Sequence, residues 1–284
     1  MPTKRVASIC LLTLSVSCLP IYLHAAPTGC QAAEPPEQVE QHQHSHGMDM
    51  NIPSGASDKC EPKFTYEEGL RGPGHWQGVC NTGRMQTPID ITKTEKVPIP
   101  PLPPLQFSYL PAELDVVNDC NKYQLKVRFP ENQWLKVARK PYRLSEIDFH
   151  EPSENAVNGK RSPMSIQLVH LSPEAMFLVI EVPVVAGAEN PVIRTLWEHI
   201  PAAGKENVTK SVKINAMDLL PADHSFYRFP GSLTTPICNE GVTWFLMRNP
   251  IEMSEAQIAK YKKFYHDTAR PLQPLSGRPV VESN

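Results

Sequence analysis

Three histidines alternate at His42, His44 and His46, and Met48, Asp49 and Met50 follow them. Imidazole nitrogen and thioether sulfur suit copper and zinc, so this run is a candidate for transient metal capture. The same composition also describes a solvated spacer rich in histidine. Cysteine is the second reactive type, with seven in the chain. Cys10 and Cys18 fall in an apparent export signal. Cys30, Cys60, Cys80, Cys120 and Cys238 remain, an odd set that leaves at least one thiol free or joined to another molecule. Asn207-Val208-Thr209 is a glycosylation acceptor where the host secretes through an endoplasmic reticulum.

The elements that must position any such chemistry can be read from composition and period. Lys4 and Arg5 precede an apolar stretch over residues 6–23, with Ala25 and Ala26 behind it. This is the pattern of a cleaved signal over 1–25, so a secreted or periplasmic location is expected. Residues 26–61 hold no aromatic side chain and are rich in Glu, Gln, Pro, Ser and His. Such a segment buries too little apolar surface to offset its ordering entropy, so a disordered tail is expected there. The folded domain is expected over 62–284. Thirty prolines against fourteen glycines argue for many strand ends and extended connections rather than a helical bundle.

Within that domain, Tyr123, Leu125, Val127 and Phe129 alternate with Gln124, Lys126 and Arg128, the period of a half-buried strand. The runs 165–171, 177–185 and 242–247 read as strands too, and 98–104 as an irregular extended connection. Ser254 and Gln257 form a capping-box pattern, and Ile258, Tyr261 and Tyr265 then share a helix face. The expectation is a single mostly-β domain. A formal charge of −2 gives no reason to expect nucleic acid, an anionic membrane or another polyanion as partner.

Several blocks, taken together, resemble the α-class carbonic anhydrases. Tyr66 is followed by Gly72-Pro73, Trp76, Cys80, Gly83 and Gln86-Thr87-Pro88-Ile89-Asp90-Ile91. Then come Tyr142-Arg143-Leu144, Phe149-His150-Glu151-Pro152-Ser153-Glu154, and Gly231-Ser232-Leu233-Thr234-Thr235-Pro236-Ile237-Cys238 with Glu240 and Thr243-Trp244. Arg270-Pro271-Leu272-Gln273-Pro274-Leu275 and Arg278 close the series. The resemblance implies a large, mainly antiparallel twisted central sheet with short surface helices and a conical cavity. It also implies a disulfide between Cys80 and Cys238.

In active members of that family, three histidines on two neighbouring strands hold zinc, and the metal ionises a bound water. The resemblance places those three positions on Asp148, His150 and Gln167, so only His150 is kept. A carboxylate weakens zinc's pull on water, and an amide oxygen is a poor donor for zinc. Zinc at such a seat is expected to be weak at best. Ser165 stands where the family has a glutamate orienting the third histidine, a kind of partner typically worth 10–100-fold in affinity or activity. His170, three residues past Gln167, faces the other side of its strand.

Glu154 and Thr234 match the family's hydroxide-orienting pair, and Thr235, Val169, Val179 and Val242 match its cavity wall. The proton-shuttle histidine corresponds to Asn121, which cannot exchange a proton near neutral pH. Cys120 replaces a glycine near the cavity mouth and is a candidate for the odd thiol, with Cys30 and Cys60 paired. The resemblance thus points to a zinc-ligand-deficient relative with a small-molecule, metal or protein ligand. Two alternatives stand beside it: a slow zinc-dependent carbonate dehydratase working through Asp148, His150 and Gln167, and an extracytoplasmic copper- or zinc-binding protein acting through the His/Met tail.

Overall fold

The computed structural model describes residues 61–96 and 102–283. The export signal, the tail with His42, His44 and His46, the residues Cys30 and Cys60, and part of the 98–104 connection lie outside them.

Eight strands matter to the site: β1 (Ala112–Asp119), β2 (Gln124–Arg128), β3 (Lys140–His150), β4 (Met164–Leu171), β5 (Phe177–Ala186), β6 (Glu206–Ile214), β7 (Phe226–Ser232) and β8 (Glu240–Met247). They lie side by side in one large sheet in the order β6-β1-β2-β3-β4-β5-β8-β7. Neighbours are antiparallel except for β5 and β8, which run parallel. The expected mostly-β single domain with a mainly antiparallel sheet is what forms.

Alternation sorts the side chains of the central strands into two sets. Leu125 and Val127, Ile147 and Phe149, Ile166 and Leu168, and Leu178, Ile180 and Val182 all enter the main core on one face. The residues between them (Gln124, Lys126, Asp148, His150, Gln167, Val169, Val179 and Glu181) point to the other face and are buried as well. On the polar half of β2, expected to meet solvent, Gln124 and Lys126 are buried while Arg128 at the strand end is exposed. On β8, Phe245 and Met247 join the main core. Val242, Trp244 and Leu246 form a second apolar cluster with Val169 and Val179.

Two helices brace the underside. In α1 (Pro191–Glu198), the Asn190 Oδ1 accepts from the Val192 and Ile193 N–H groups at 3.0 and 3.2 Å. The expected capping box starts α2 (Glu255–Lys262): Ser254 Oγ accepts from the Gln257 N–H, and Gln257 Oε1 accepts from the Ser254 N–H. From α2, Tyr261 Oη donates to the Phe149 carbonyl at 2.6 Å. That bond fixes the backbone of β3 between Asp148 and His150.

A disulfide joins Cys80 to Cys238 across 158 residues, with closure of so long a loop worth roughly 2–5 kcal/mol. It ties the turn after Thr234 and Thr235 to the start of the domain. Cys120 is also disulfide-bonded. It is therefore not the odd thiol: the bridge removes it from that role.

Candidate functional site

Strand register builds the site. Asp148 and His150, two apart on β3, share a face. Across the ladder Asp148 stands opposite Gln167 of β4, and Gln167 stands opposite Glu181 of β5. On the other flank Lys126 of β2 stands opposite Asp148. A buried polar row, Lys126–Asp148–Gln167–Glu181, thus crosses four strands, with His150 one step along it. Opposed residues on neighbouring strands are about 5 Å apart, close enough to interact or to hold one small group between them.

This row forms part of the floor of a cavity of about 160 Å³, lined there by Gln124, Glu146, Asp148, His150 and Gln167. Val169, Phe177, Val179, Leu233 and Trp244 supply apolar wall, Thr234 and Thr235 polar wall, and Lys122 also lines it. Of the wall residues expected from sequence, Val169, Val179 and Thr235 line the cavity. Val242 is fully buried in the second apolar cluster together with Val169 and Val179. Asn121 lines a neighbouring groove with Lys63, Arg71 and Trp76, and its carbonyl accepts from the Lys63 N–H at 2.8 Å. Lys122, the next residue, lines both.

The floor's polar contacts are specific. His150 Nδ1 lies 2.7 Å from the Thr268 carbonyl. A carbonyl only accepts, so Nδ1 carries a proton, and in the neutral ring the lone pair is on Nε2. Glu154 Oε2 is 3.7 Å from that Nε2, beyond hydrogen-bond reach, and accepts from Gln167 Nε2 at 2.7 Å. Its Oε1 accepts from the Arg270 N–H at 3.3 Å. The residue expected to orient a hydroxide through Thr234 is therefore engaged by the glutamine at the third ligand position. Thr234 is itself buried on the cavity wall.

Asp148 is 6% exposed, and its Oδ1 has no hydrogen-bond partner. Burial pushes its carboxyl up to about 7, with Glu146 adding to the push and Lys126, His150 and Gln124 opposing it. Lys126 Nζ is committed to Glu146 Oε2 at 3.2 Å. Burial works against the lysine's charge, but Asp148 and Glu146 outweigh it and hold its pKa above the usual value. Glu181 is raised by burial too, and Asn155 donates to it. On the far face, His170 lies between the Tyr109 hydroxyl and the Leu178 carbonyl, and burial lowers it to about 4.

The family model described as eukaryotic-type carbonic anhydrase matches residues 71–284. A carbonic anhydrase of Nostoc sp. is 37% identical over 224 residues, covering 76% of this chain and 84% of that protein. The chain belongs to the α-class carbonic anhydrase family. A hyperthermostable carbonic anhydrase from an active hydrothermal vent chimney superposes with a TM-score of 0.73 at 35% identity, covering 78% of this chain and all of that one. Dioscorin complexed with ascorbate superposes with a TM-score of 0.70 at 27% identity, covering 78% of this chain and 98% of its own. The Cys80–Cys238 bridge fits an oxidising, extracellular or periplasmic compartment.

Carbonic anhydrases usually hold zinc, and the seat must be tested against that ion. Its donors here are one imidazole nitrogen, one carboxylate and one amide. Two are hard oxygen donors, and the amide's NH₂ is tied to Glu154. Among the described residues, no group of three or more His, Cys, Asp or Glu side chains is arranged to hold a metal ion. The donor set does not fit a catalytic zinc centre.

Sequence reasoning missed Lys122, Gln124, Glu146, Phe177 and Trp244 as cavity residues, and Lys126 beneath them. One signal was available. Glu146 precedes Asp148 by two residues, and Gln124 and Lys126 are spaced by two, so each pair shares a strand face.

Proposed function

We propose that this chain is a secreted carbonic-anhydrase-family protein that lacks efficient carbon dioxide hydration and uses its cavity to bind a ligand. One observation carries this reading. Gln167, at the third ligand position, is bonded to Glu154 at 2.7 Å, where the family reaction needs that carboxylate for a hydroxide on the metal. Asp148 adds a second obstacle. Near neutral pH its carboxyl is divided between protonated and ionised forms, so any metal arriving there competes with a proton. The relative complexed with ascorbate supports the idea that this fold accommodates small organic ligands.

The test is stopped-flow carbon dioxide hydration by the disulfide-intact protein, with and without added zinc and a sulfonamide. The expected result is no rate above buffer in excess zinc. A zinc-dependent, sulfonamide-sensitive rate would overturn the proposal and establish a working Asp148–His150–Gln167 site.

A further inference from the structure

The sheet face that carries the cavity continues along β5 and β8 past the floor. Val179 and Trp244, opposed across these two strands, line the cavity. Two residues on come Glu181 and Leu246, and beyond them Pro183 and Arg248 line a second groove of about 230 Å³. At the usual strand rise, Val179 and Pro183 are roughly 13 Å apart. The groove is therefore separate from the cavity.

Its lining is basic. Lys160, Arg161 and Arg248 surround it, and among the described residues no aspartate or glutamate lines it. None of the three cations forms an ion pair among the described residues. The buried Glu154 and Glu181 attract Arg161, and Asp223 attracts Arg248, each from beyond ion-pair distance. Ser162 and Tyr227 bring hydroxyls to the same lining. A formal charge of −2 describes the whole chain and hides this local concentration of positive charge.

The cations are held in place before any ligand arrives. Arg161 is half-buried and donates one N–H to the Arg270 carbonyl at 2.8 Å, which leaves the rest of its fork uncommitted. Arg248 lies over the Tyr227 ring, 5.7 Å from its centroid. Lys160 closes a tight turn in which it and Val157 exchange N–H···O bonds at 3.0 and 3.1 Å. Between them Asn158 and Gly159 take φ of 51° and 75°, the positive pair that a two-residue hairpin turn requires. Asp90 Oδ1 braces that turn by accepting from the Gly159 N–H at 3.0 Å.

Three like charges around one groove repel one another, and a multiply charged anion offsets that repulsion. A phosphate group suits the lining better than a carboxylate does. It carries up to two charges, and its oxygens point in several directions, toward two guanidinium forks and an ammonium at once. A carboxylate has one charge and two oxygens in a single plane. Beside the cations, Val157, Pro183 and Pro250 form an apolar side against which the organic part of an ester can rest.

We propose that this groove binds a phosphate group, free or as the monoester of a small organic molecule, through Lys160, Arg161 and Arg248. The site is distinct from the exchanged metal seat and does not depend on what the cavity holds.

Calorimetric titration of the full chain in low-salt buffer at pH 8, above the second pKa of a phosphate group, tests the proposal with inorganic phosphate, glycerol 3-phosphate and acetate. At least one phosphate ligand is expected to bind saturably and about tenfold or more tighter than acetate. Tighter binding of inorganic phosphate assigns the site to the free ion, and tighter binding of the glycerol ester assigns it to a monoester. Lys160→Gln with Arg248→Gln, two exposed positions, should weaken that ligand by about tenfold or more. Lys136→Gln with Lys210→Gln removes the same charge from exposed positions elsewhere and should change the affinity by no more than about twofold. No saturable binding of either phosphate at millimolar concentration, equal binding of acetate, or an equal loss in the two double variants overturns the proposal.

Discussion

Replacing Asp148 by asparagine should stabilise the folded protein above pH 7 relative to its effect near pH 4. Burial raises the Asp148 carboxyl from an ordinary 3.8 to about 7. Between those values the unfolded chain has released the proton while the folded chain still holds it. More protons are then bound in the folded state, so unfolding free energy falls as pH rises through that window and levels off above about 7. The span corresponds to about 4 kcal/mol. Asparagine does not titrate, so the variant escapes this loss. His170 acts with the opposite sign over an overlapping range. Burial lowers it from 6.5 to about 4, so its contribution to stability rises with pH between those values by about 3 kcal/mol. The two slopes offset each other in the native sequence, and the informative quantity is the difference between variant and native protein. Urea unfolding with the disulfides intact, at half-unit steps from pH 4 to 8, supplies it. The variant's advantage should grow by several kcal/mol from pH 4 to 7 and then hold constant. A difference that stays flat across the range would refute the raised Asp148 and the buried, desolvated floor behind it.

Restoring both histidines, Asp148→His with Gln167→His, should produce zinc-dependent, sulfonamide-sensitive carbon dioxide hydration where the native chain gives none. A folded double variant that binds zinc yet stays inert would count against the site reading. Removing the Cys80–Cys238 bridge by Cys80→Ser with Cys238→Ser should lower stability by roughly 2–5 kcal/mol, read as an earlier urea midpoint. Ser254→Ala removes one half of the α2 capping box and should cost about 1 kcal/mol, also read as an earlier urea midpoint.

Local codes were legible in the sequence, and depth was not. The α2 start was readable because Ser254 and Gln257 satisfy each other's backbone donors within one turn. The strand runs were readable because β-branched and aromatic residues alternate. Period-two alternation, however, says which residues share a face and not what covers that face. Gln124 and Lys126 looked like a solvent face and proved to be buried toward the cavity. The same limit applies to Val242, which is fully buried in the apolar cluster that holds Val169, Val179 and Trp244. The surroundings of Asn121 were hidden for a different reason. A short 3₁₀ turn over Cys120–Lys122, followed by Tyr123 at φ 51°, redirects the chain between β1 and β2 and brings Lys122 to the cavity. The exchanged seat itself was visible through the family resemblance. That Glu154 would close onto Gln167 was not, because it depends on how an amide and a carboxylate orient across adjacent elements.

The bond between Gln167 and Glu154 also makes the order of genetic change matter. Exchanging Gln167 alone for a side chain without its NH₂ donor strips a fully buried carboxylate of one partner, the kind of loss that costs several kcal/mol. Restoring only the histidine at position 148 leaves that amide–carboxylate clasp closed. The effects of changes at 148, 167 and 154 are therefore coupled, and only a combined exchange tests the site as a unit.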